Sequence, residues 1–446
     1  MNDKLAGLTQ VQLDSHWMPY TGNRQFKRDP RILTAAEGCY YTSADGRPIF
    51  DGLSGLWTCG AGHSRPEITE AIGRQLKTLD YAPAFQFGHP GSFELAERIT
   101  QFMPTGLNRI FFTNSGSETA ETALKIARAY WRKRGLAAKT KLIGRIKGYH
   151  GVNFAGISVG GIGANRAMFG PTLDADHLSH TLLPENRFCH GQPQQGAYLA
   201  DELLELIALH DASNIAAVIV EPMAGSAGVL PPPEGYLQRL RDICSEHQIL
   251  LIFDEVITAF GRMGTATGAE FFGVVPDILN TAKQLTNGVF PMGAVAVRQS
   301  IYDTFMEQGG PAYQLELPHG YTYSAHPVAC AAALATLNIL EQENLFKRAA
   351  ELTYVLEEYI HQLKDLPLVN DIRNCGLAAG LTIDSAPGEP LRHPFQVAMK
   401  MWDKGFYVRY SSDTLQLGVP FISSSEEVDG LVNALAESIL EVANGK

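Results

Sequence analysis

Asp254 and Lys283 each close a short strand-like run. Leu250–Phe253 is wholly apolar and stops at Asp254, the pattern of a buried strand that delivers a carboxylate at its C-terminal tip. Asp277–Ala282 reads as a second short strand, and it delivers a lysine. A carboxylate and an amine arriving from neighbouring strand ends suit pyridoxal phosphate (PLP) chemistry. There the amine forms a Schiff base with the aldehyde, and the carboxylate pairs with the protonated pyridine nitrogen. A surface lysine and an aspartate in a strand-end turn would look the same in isolation, so the argument turns on their neighbours.

Thr113-Asn114-Ser115-Gly116-Ser117-Glu118-Thr119 supplies a phosphate end. It lies between a strand pattern and a helix whose apolar positions Ala120, Ala123, Leu124, Ala127 and Trp131 recur at helical spacing. Gly116 lets the backbone approach a ligand closely, and Ser117 offers a hydroxyl and an amide at a helix start. Free N–H groups and the positive end of the helix dipole there suit a phosphate dianion. Plain N-capping by Ser115 or Ser117 is compatible with that role. Gly148-Tyr149-His150-Gly151 follows the run Lys141–Ile146 and falls at the same edge. Tyr149 is the candidate to stack on a pyridine ring, with His150 beside it. Glu221, ending AAVIVE, and Val256, just after Asp254, line that edge too.

These residues need a scaffold that brings strand ends together. The candidate strands are Arg109–Thr113, Lys141–Ile146, Ala216–Glu221, Leu250–Asp254, Asp277–Ala282 and Gly293–Val297. Helical stretches alternate with them at Glu118–Arg134, Leu199–His210 and Gly235–His247. That alternation predicts an α/β fold with a mostly parallel sheet and helices on both faces, in which ligands bind at the carboxyl ends of the strands. From about Ala329 the pattern changes to a long helical region, Ala329–Leu363. A strand-rich stretch with GLAAGLTI and GFYVRY follows, then an amphipathic segment, Glu426–Val442. The expected division is a large domain at 56–328 and a smaller α+β domain at 329–446, joined by residues 1–55.

Composition narrows the class of ligand. The chain has 446 residues, 45% hydrophobic and 19% charged, the profile of an ordinary globular enzyme. A net charge of −11 argues against nucleic acid or an anionic membrane as partner. Cys39, Cys59, Cys189, Cys244, Cys330 and Cys375 are scattered without a CxxC pair, so neither a disulfide framework nor a metal site is expected. The first twenty residues lack a signal-peptide pattern, and no stretch approaches the roughly 18 apolar residues that span a bilayer. A cytoplasmic location is the expectation.

Six motifs together, FTNSGSET, GYHG, IVEPM, FDEVITAFGRMG, AKQLTNGVFPMGAV and HGYTYSAHP, resemble the class III aminotransferases. These are PLP enzymes of fold type I, and the resemblance runs from Ser15–Thr21 to Gly405–Pro420. Within the class, Leu53–His63, Pro83–Pro90 and Gln284-Leu285 are most similar to the ω-amino acid (β-alanine)–pyruvate branch. The wider class more often carries glycine in place of Gln284 and Ala325.

The resemblance implies PLP held at Lys283 and an amino group moved, by ping-pong kinetics, from an ω-amino acid or primary amine to pyruvate. It implies a homodimer, or a tetramer built from it, with Thr322 reaching the phosphate in the neighbouring subunit. Arg409 would pair with the substrate carboxylate, a planar anion that guanidinium fits well. Trp57 and Tyr20, with Phe85 and Phe87 from the partner chain, would form an aromatic substrate pocket beside Tyr149. Arg262 is a weaker candidate for a second carboxylate reader. A 2-oxoglutarate-dependent aminotransferase of the same class, or an intramolecular aminomutase, remains the alternative.

Overall fold

The computed structural model describes residues 7–445. Among these, seven strands form one sheet. From edge to edge it runs Leu107–Thr113, Gly293–Arg298, Ile278–Thr281, Leu250–Asp254, Ile215–Val220, Lys141–Arg145 and Ala175–Leu178. Neighbours from Ala175–Leu178 through to Ile278–Thr281 are parallel. Gly293–Arg298 runs antiparallel to both of its neighbours. The reason lies in the connection: Lys283–Met292 is a turn-rich segment and no crossover helix, so the next strand must return alongside.

The central strands are apolar at consecutive positions because both faces are covered. Val218, Val220, Leu251, Phe253 and Leu279 join the larger core, which takes Leu237, Leu240 and Ile243 from the helix Tyr236–Glu246. Ala217, Ile219, Ile252, Ile278 and Val295 face the other way, onto Ala123, Leu124, Ala127 and Trp131 of the helix Gly116–Lys133. The sheet is thus sandwiched between helices, as the alternating pattern predicts.

Two details differ from the sequence reading and two refine it. The edge strand Ala175–Leu178 escapes it, because ADHL is short and mixed in polarity. The stretch Leu199–His210 opens as a 3₁₀ turn, Ala197–Asp201, before the α-helix Glu202–His210. The long helical region expected at Ala329–Leu363 is two α-helices, Pro327–Gln342 and Leu345–His361, separated where Asn344 turns left-handed at φ 51°. GFYVRY is not one strand: Phe406–Tyr407 pairs in parallel with Pro48–Asp51, while Arg409–Ser411 pairs antiparallel with Thr414–Leu417.

That last split links the chain's two ends. Leu33–Glu37, Tyr40–Ser43, Pro48–Asp51 and Phe406–Tyr407 form one four-stranded sheet. Val369–Asn374, Ala379–Ile383, Thr414–Leu417 and Arg409–Ser411 form another. The helices Leu345–His361 and Arg392–Asp403 pack on Ser425–Ala443 beside them. Among the described residues no helix is long and apolar enough to cross a membrane.

Candidate active site

At the carboxyl edge of the seven-stranded sheet lies a cavity of about 320 Å³, within the range typical of small-molecule sites. Its floor is made by strand ends. Asp254 ends its strand at 6% exposure, and Lys283 stands just beyond the end of Ile278–Thr281. His150 Nδ1 donates to Asp254 Oδ2 at 2.8 Å, and the Val256 N–H reaches Asp254 Oδ1 at 3.2 Å. A carboxylate held from both oxygens has one orientation. Glu221, just past the strand Ile215–Val220, accepts the Tyr149 N–H at 2.9 Å and so fixes the peptide that carries the candidate stacking ring. His150 Nε2 is buried with no partner.

The phosphate end forms as expected. Ser115 is the N-cap of Gly116–Lys133, its hydroxyl accepting the Glu118 N–H at 3.2 Å, while Glu118 accepts the Asn114 N–H at 2.7 Å. Capping by Ser115 therefore coexists with a helix N-terminus that opens into the cavity, since Asn114, Ser115, Gly116 and Ser117 all line it. A side chain on Gly116 would strike Val256 at 2.8 Å, so glycine is what lets the helix start approach the floor. Ser117 Oγ accepts the Val152 N–H at 3.1 Å, which ties the GYHG loop to the helix.

Desolvation dominates the electrostatics. Burial pushes the Lys283 amine down to about 8, against the carboxylates of Asp254 and Glu221 and with the help of the Arg409 charge. Glu221 is pushed up to about 7, first by burial, with His150 opposing and Asp254 adding to the rise. The Tyr149 phenol is raised by burial and then by Tyr20, with Arg409 working the other way. Arg409 and Tyr20 are thus electrostatic neighbours of the floor, although neither is part of the cavity lining.

The remaining candidates are placed elsewhere on the chain. Trp57 is 2% exposed, at φ 65°, packed with Leu53, Met223 and Val229; the next residue, Thr58, is the one that lines the cavity. Tyr20 is 70% exposed and accepts an N–H of Asn165 at 3.1 Å. Phe85 and Phe87 are exposed, with Phe85 lying against Gly320. Thr322 is exposed on the segment that follows, its carbonyl bonded by Tyr81 Oη at 3.1 Å. Arg262 is a buried tie: it donates to the carbonyls of Leu377 and Val419 and to Ser54 Oγ, and stacks on Trp57 and Phe421. Burial lowers its pKa to about 9.

Sequence reasoning passed over Thr58, Ser226, Ile257, Thr286 and Phe290, all of which line the cavity. Ser226 sits in a glycine-flanked bend closed by the Ala224–Leu230 bridge, where no periodic pattern exists to flag it. Thr286 ends the turn that Lys283 opens and Phe290 follows shortly after it, so proximity to the lysine was the available signal.

A helix N-terminus, a lysine amine and an oriented buried carboxylate around one cavity fit PLP, since they offer partners for its phosphate, its aldehyde and its ring nitrogen respectively. The family described as aminotransferase class-III matches residues 22–439, and the chain belongs to it. Members are PLP-dependent aminotransferases of fold type I, and PLP is the group this cavity takes. The chain is 60% identical to the beta-alanine–pyruvate aminotransferase of Pseudomonas aeruginosa, over 98% of this chain and 97% of that one. It is 58% identical to the omega-amino acid–pyruvate aminotransferase of Pseudomonas putida, over 96% of each. Among solved structures it resembles the omega transaminase of Pseudomonas jessenii in complex with PMP, with TM-score 0.92, 31% identity and coverage of 98% and 99%.

Proposed function

We propose that this aminotransferase moves the amino group of an ω-amino acid of the β-alanine type, or of a primary amine, to pyruvate, giving an aldehyde or ketone and alanine. The observation that carries the chemistry is Lys283 at the floor beside Asp254 and Glu221; the choice of substrates rests on the 60% and 58% identical relatives. When bound, PLP supplies an aldehyde for the lysine and a ring that takes up electrons from the substrate carbon.

The chain's own residues do the rest. Ser115, Gly116 and Ser117 hold the phosphate with N–H groups and hydroxyls. Asp254, oriented by His150, keeps a negative charge at the ring nitrogen. Tyr149, whose peptide Glu221 holds, would stack on the ring, and Val256 lines the same cavity. The Lys283 amine would be the base that takes a proton from the substrate carbon, and in the second half-reaction it would deliver one to the carbon of the acceptor. An amine held near 8 is partly unprotonated at neutral pH, which suits it to that work. Arg409 receives the substrate carboxylate.

The exposed positions of Thr322, Phe85 and Phe87 support a homodimer in which they complete the partner's site. With Tyr20 they would form the aromatic wall, while Trp57, 2% exposed, would back it from the core behind Thr58. The pairing of Pro48–Asp51 with Phe406–Tyr407 supports assigning residues 1–55 to the smaller domain, with 56–328 as the large one and 329–446 completing the small one. We place the enzyme in the cytoplasm.

The test is an acceptor comparison. Purified enzyme with β-alanine or (S)-1-phenylethylamine should form alanine from pyruvate and much less glutamate from 2-oxoglutarate. A preference for 2-oxoglutarate would move it to the glutamate-dependent branch. Turnover without any external keto acid would make it an aminomutase.

A further inference from the structure

The turn that carries Lys283 is strained and is held from outside. Lys283 sits at φ 45° and Asn287 at φ 50°, the left-handed region that side-chain-bearing residues seldom occupy. Such strain persists only where the surroundings over-determine it. Two amides do so here. Gln284 Oε1 accepts the Gly60 N–H at 2.7 Å, and Asn287 Oδ1 accepts the Ala61 N–H at 3.0 Å. Asn287 Nδ2 donates to the Gly62 carbonyl at 2.7 Å, and Gln284 Nε2 donates to Asn287 Oδ1 at 3.3 Å.

Both amides are buried, at 3% and 2% exposure, and neither residue lines the cavity. The grip is also tied to the C-terminal part of the chain, because the Gly60 carbonyl accepts the Phe421 N–H at 2.8 Å. Gly60 has no room for a side chain: a Cβ would lie 2.6 Å from Gln284 Oε1 and 2.5 Å from the Phe421 ring.

We propose that Gln284 and Asn287 are positioning residues that clamp the lysine turn to Gly60–Gly62 and thereby set where the Lys283 amine rests over the floor. The inference rests on the reading of Lys283 as the amine that links to PLP. It gives Gln284 a task that its place next to the lysine leaves unexplained. Fixing the turn from behind keeps the amine registered with the reacting carbon through both half-reactions, in which it leaves and returns. It also ties that register to Phe421, so the smaller part of the chain shares in holding the base.

The test uses the holoenzyme of three variants. Gln284→Met keeps the length and loses the acceptor. Asn287→Gly keeps the left-handed turn and loses the amide. Gln284→Glu keeps the acceptor for Gly60 and loses only the weaker 3.3 Å donation to Asn287. We expect amide hydrogen exchange to speed about tenfold or more, at Gly60 in Gln284→Met and at Ala61 in Asn287→Gly. In both, the pH midpoint of the lysine-linked cofactor absorbance should shift. Turnover should fall by about 10²-fold, the scale of an ångström-sized misplacement, with KM for the amine nearly unchanged. Gln284→Glu should restore protection at Gly60 and most of the turnover.

Faster exchange with an unmoved absorbance midpoint and wild-type kcat would overturn the proposal, leaving the clamp purely structural. Unchanged exchange in either variant would overturn it as well. If one variant fails to fold, the other still decides. A wild-type enzyme with no lysine-linked absorbance band would overturn the assignment of Lys283, and the clamp with it, before any variant is made.

Discussion

At the cavity floor, Asp254 and Glu221 are 6% and 5% exposed, and each is held by a neighbour from the GYHG loop. At the expected rim, Tyr20, Phe85 and Phe87 are 70%, 56% and 71% exposed and are not among the residues that line this cavity. The floor is complete in one chain because consecutive parallel strands end side by side, and short loops after them need travel only a few ångströms. The rim residues come from irregular segments before the large sheet, and in the proposed homodimer a second chain would give them something to cover. Chemistry should therefore depend on the floor, and choice of substrate on the rim.

The sharpest way to break that contrast is to damage the floor alone. Asp254→Asn removes the charge while keeping the shape, and kcat should fall by about 10²–10³-fold, the scale for losing one oriented electrostatic group. KM for β-alanine should change little, as read from steady-state rates. An equal loss in kcat/KM carried entirely by KM would place Asp254 in binding only.

A smaller effect is expected at the rim. Phe85→Ala should raise KM for the amine by about tenfold, near 1.4 kcal/mol, with kcat nearly intact. A large fall in kcat with KM preserved would erase the distinction between rim and floor.

The smallest expected effect falls on a strut behind the floor. His63 Nε2 and Asp51 Oδ2 are 2.7 Å apart, with Asp51 fully buried, and the ring lies 4.4 Å from Tyr41. Burial alone would lower the His63 pKa, but its bonds to Asp51 and then Cys59 reverse this and raise it to about 9. A histidine with a raised folded-state pKa adds stability that is full below its unfolded value near 6.5 and is lost as pH rises through about 9. His63→Gln should cost about 1–3 kcal/mol at pH 6, and the gap should close above pH 9. Denaturant unfolding at the two pH values reads it directly, and a gap independent of pH would mean that His63 acts by packing.

The floor was also the part most legible in the sequence. Leu250–Asp254 is a strand with the bounds its apolar run predicts, and the other strands that feed the cavity differ from expectation by one or two residues. A strand buried on both faces leaves an unbroken apolar run, and the residue that ends the run is the one that reaches the ligand. Less was legible where contacts are non-local. Nothing in GFYVRY signals that the chain crosses between two sheets at Val408, and no periodicity marks Ser226 in its bend. Trp57, expected as a wall of the pocket, is enclosed by Gly418 and Arg262, far away in sequence. Gln284 was visible as a subfamily feature, but its partner Gly60 lies 224 residues away.

Lys283 as the residue that holds PLP is the proposal on which every role assigned to the cavity depends. Borohydride reduction of the holoenzyme, followed by digestion and mass spectrometry, fixes the cofactor to whichever lysine carries it. The peptide containing Lys283 should bear the added pyridoxyl phosphate mass, and no other lysine should. Labelling of a different lysine, or none at all, would contradict the site assigned here.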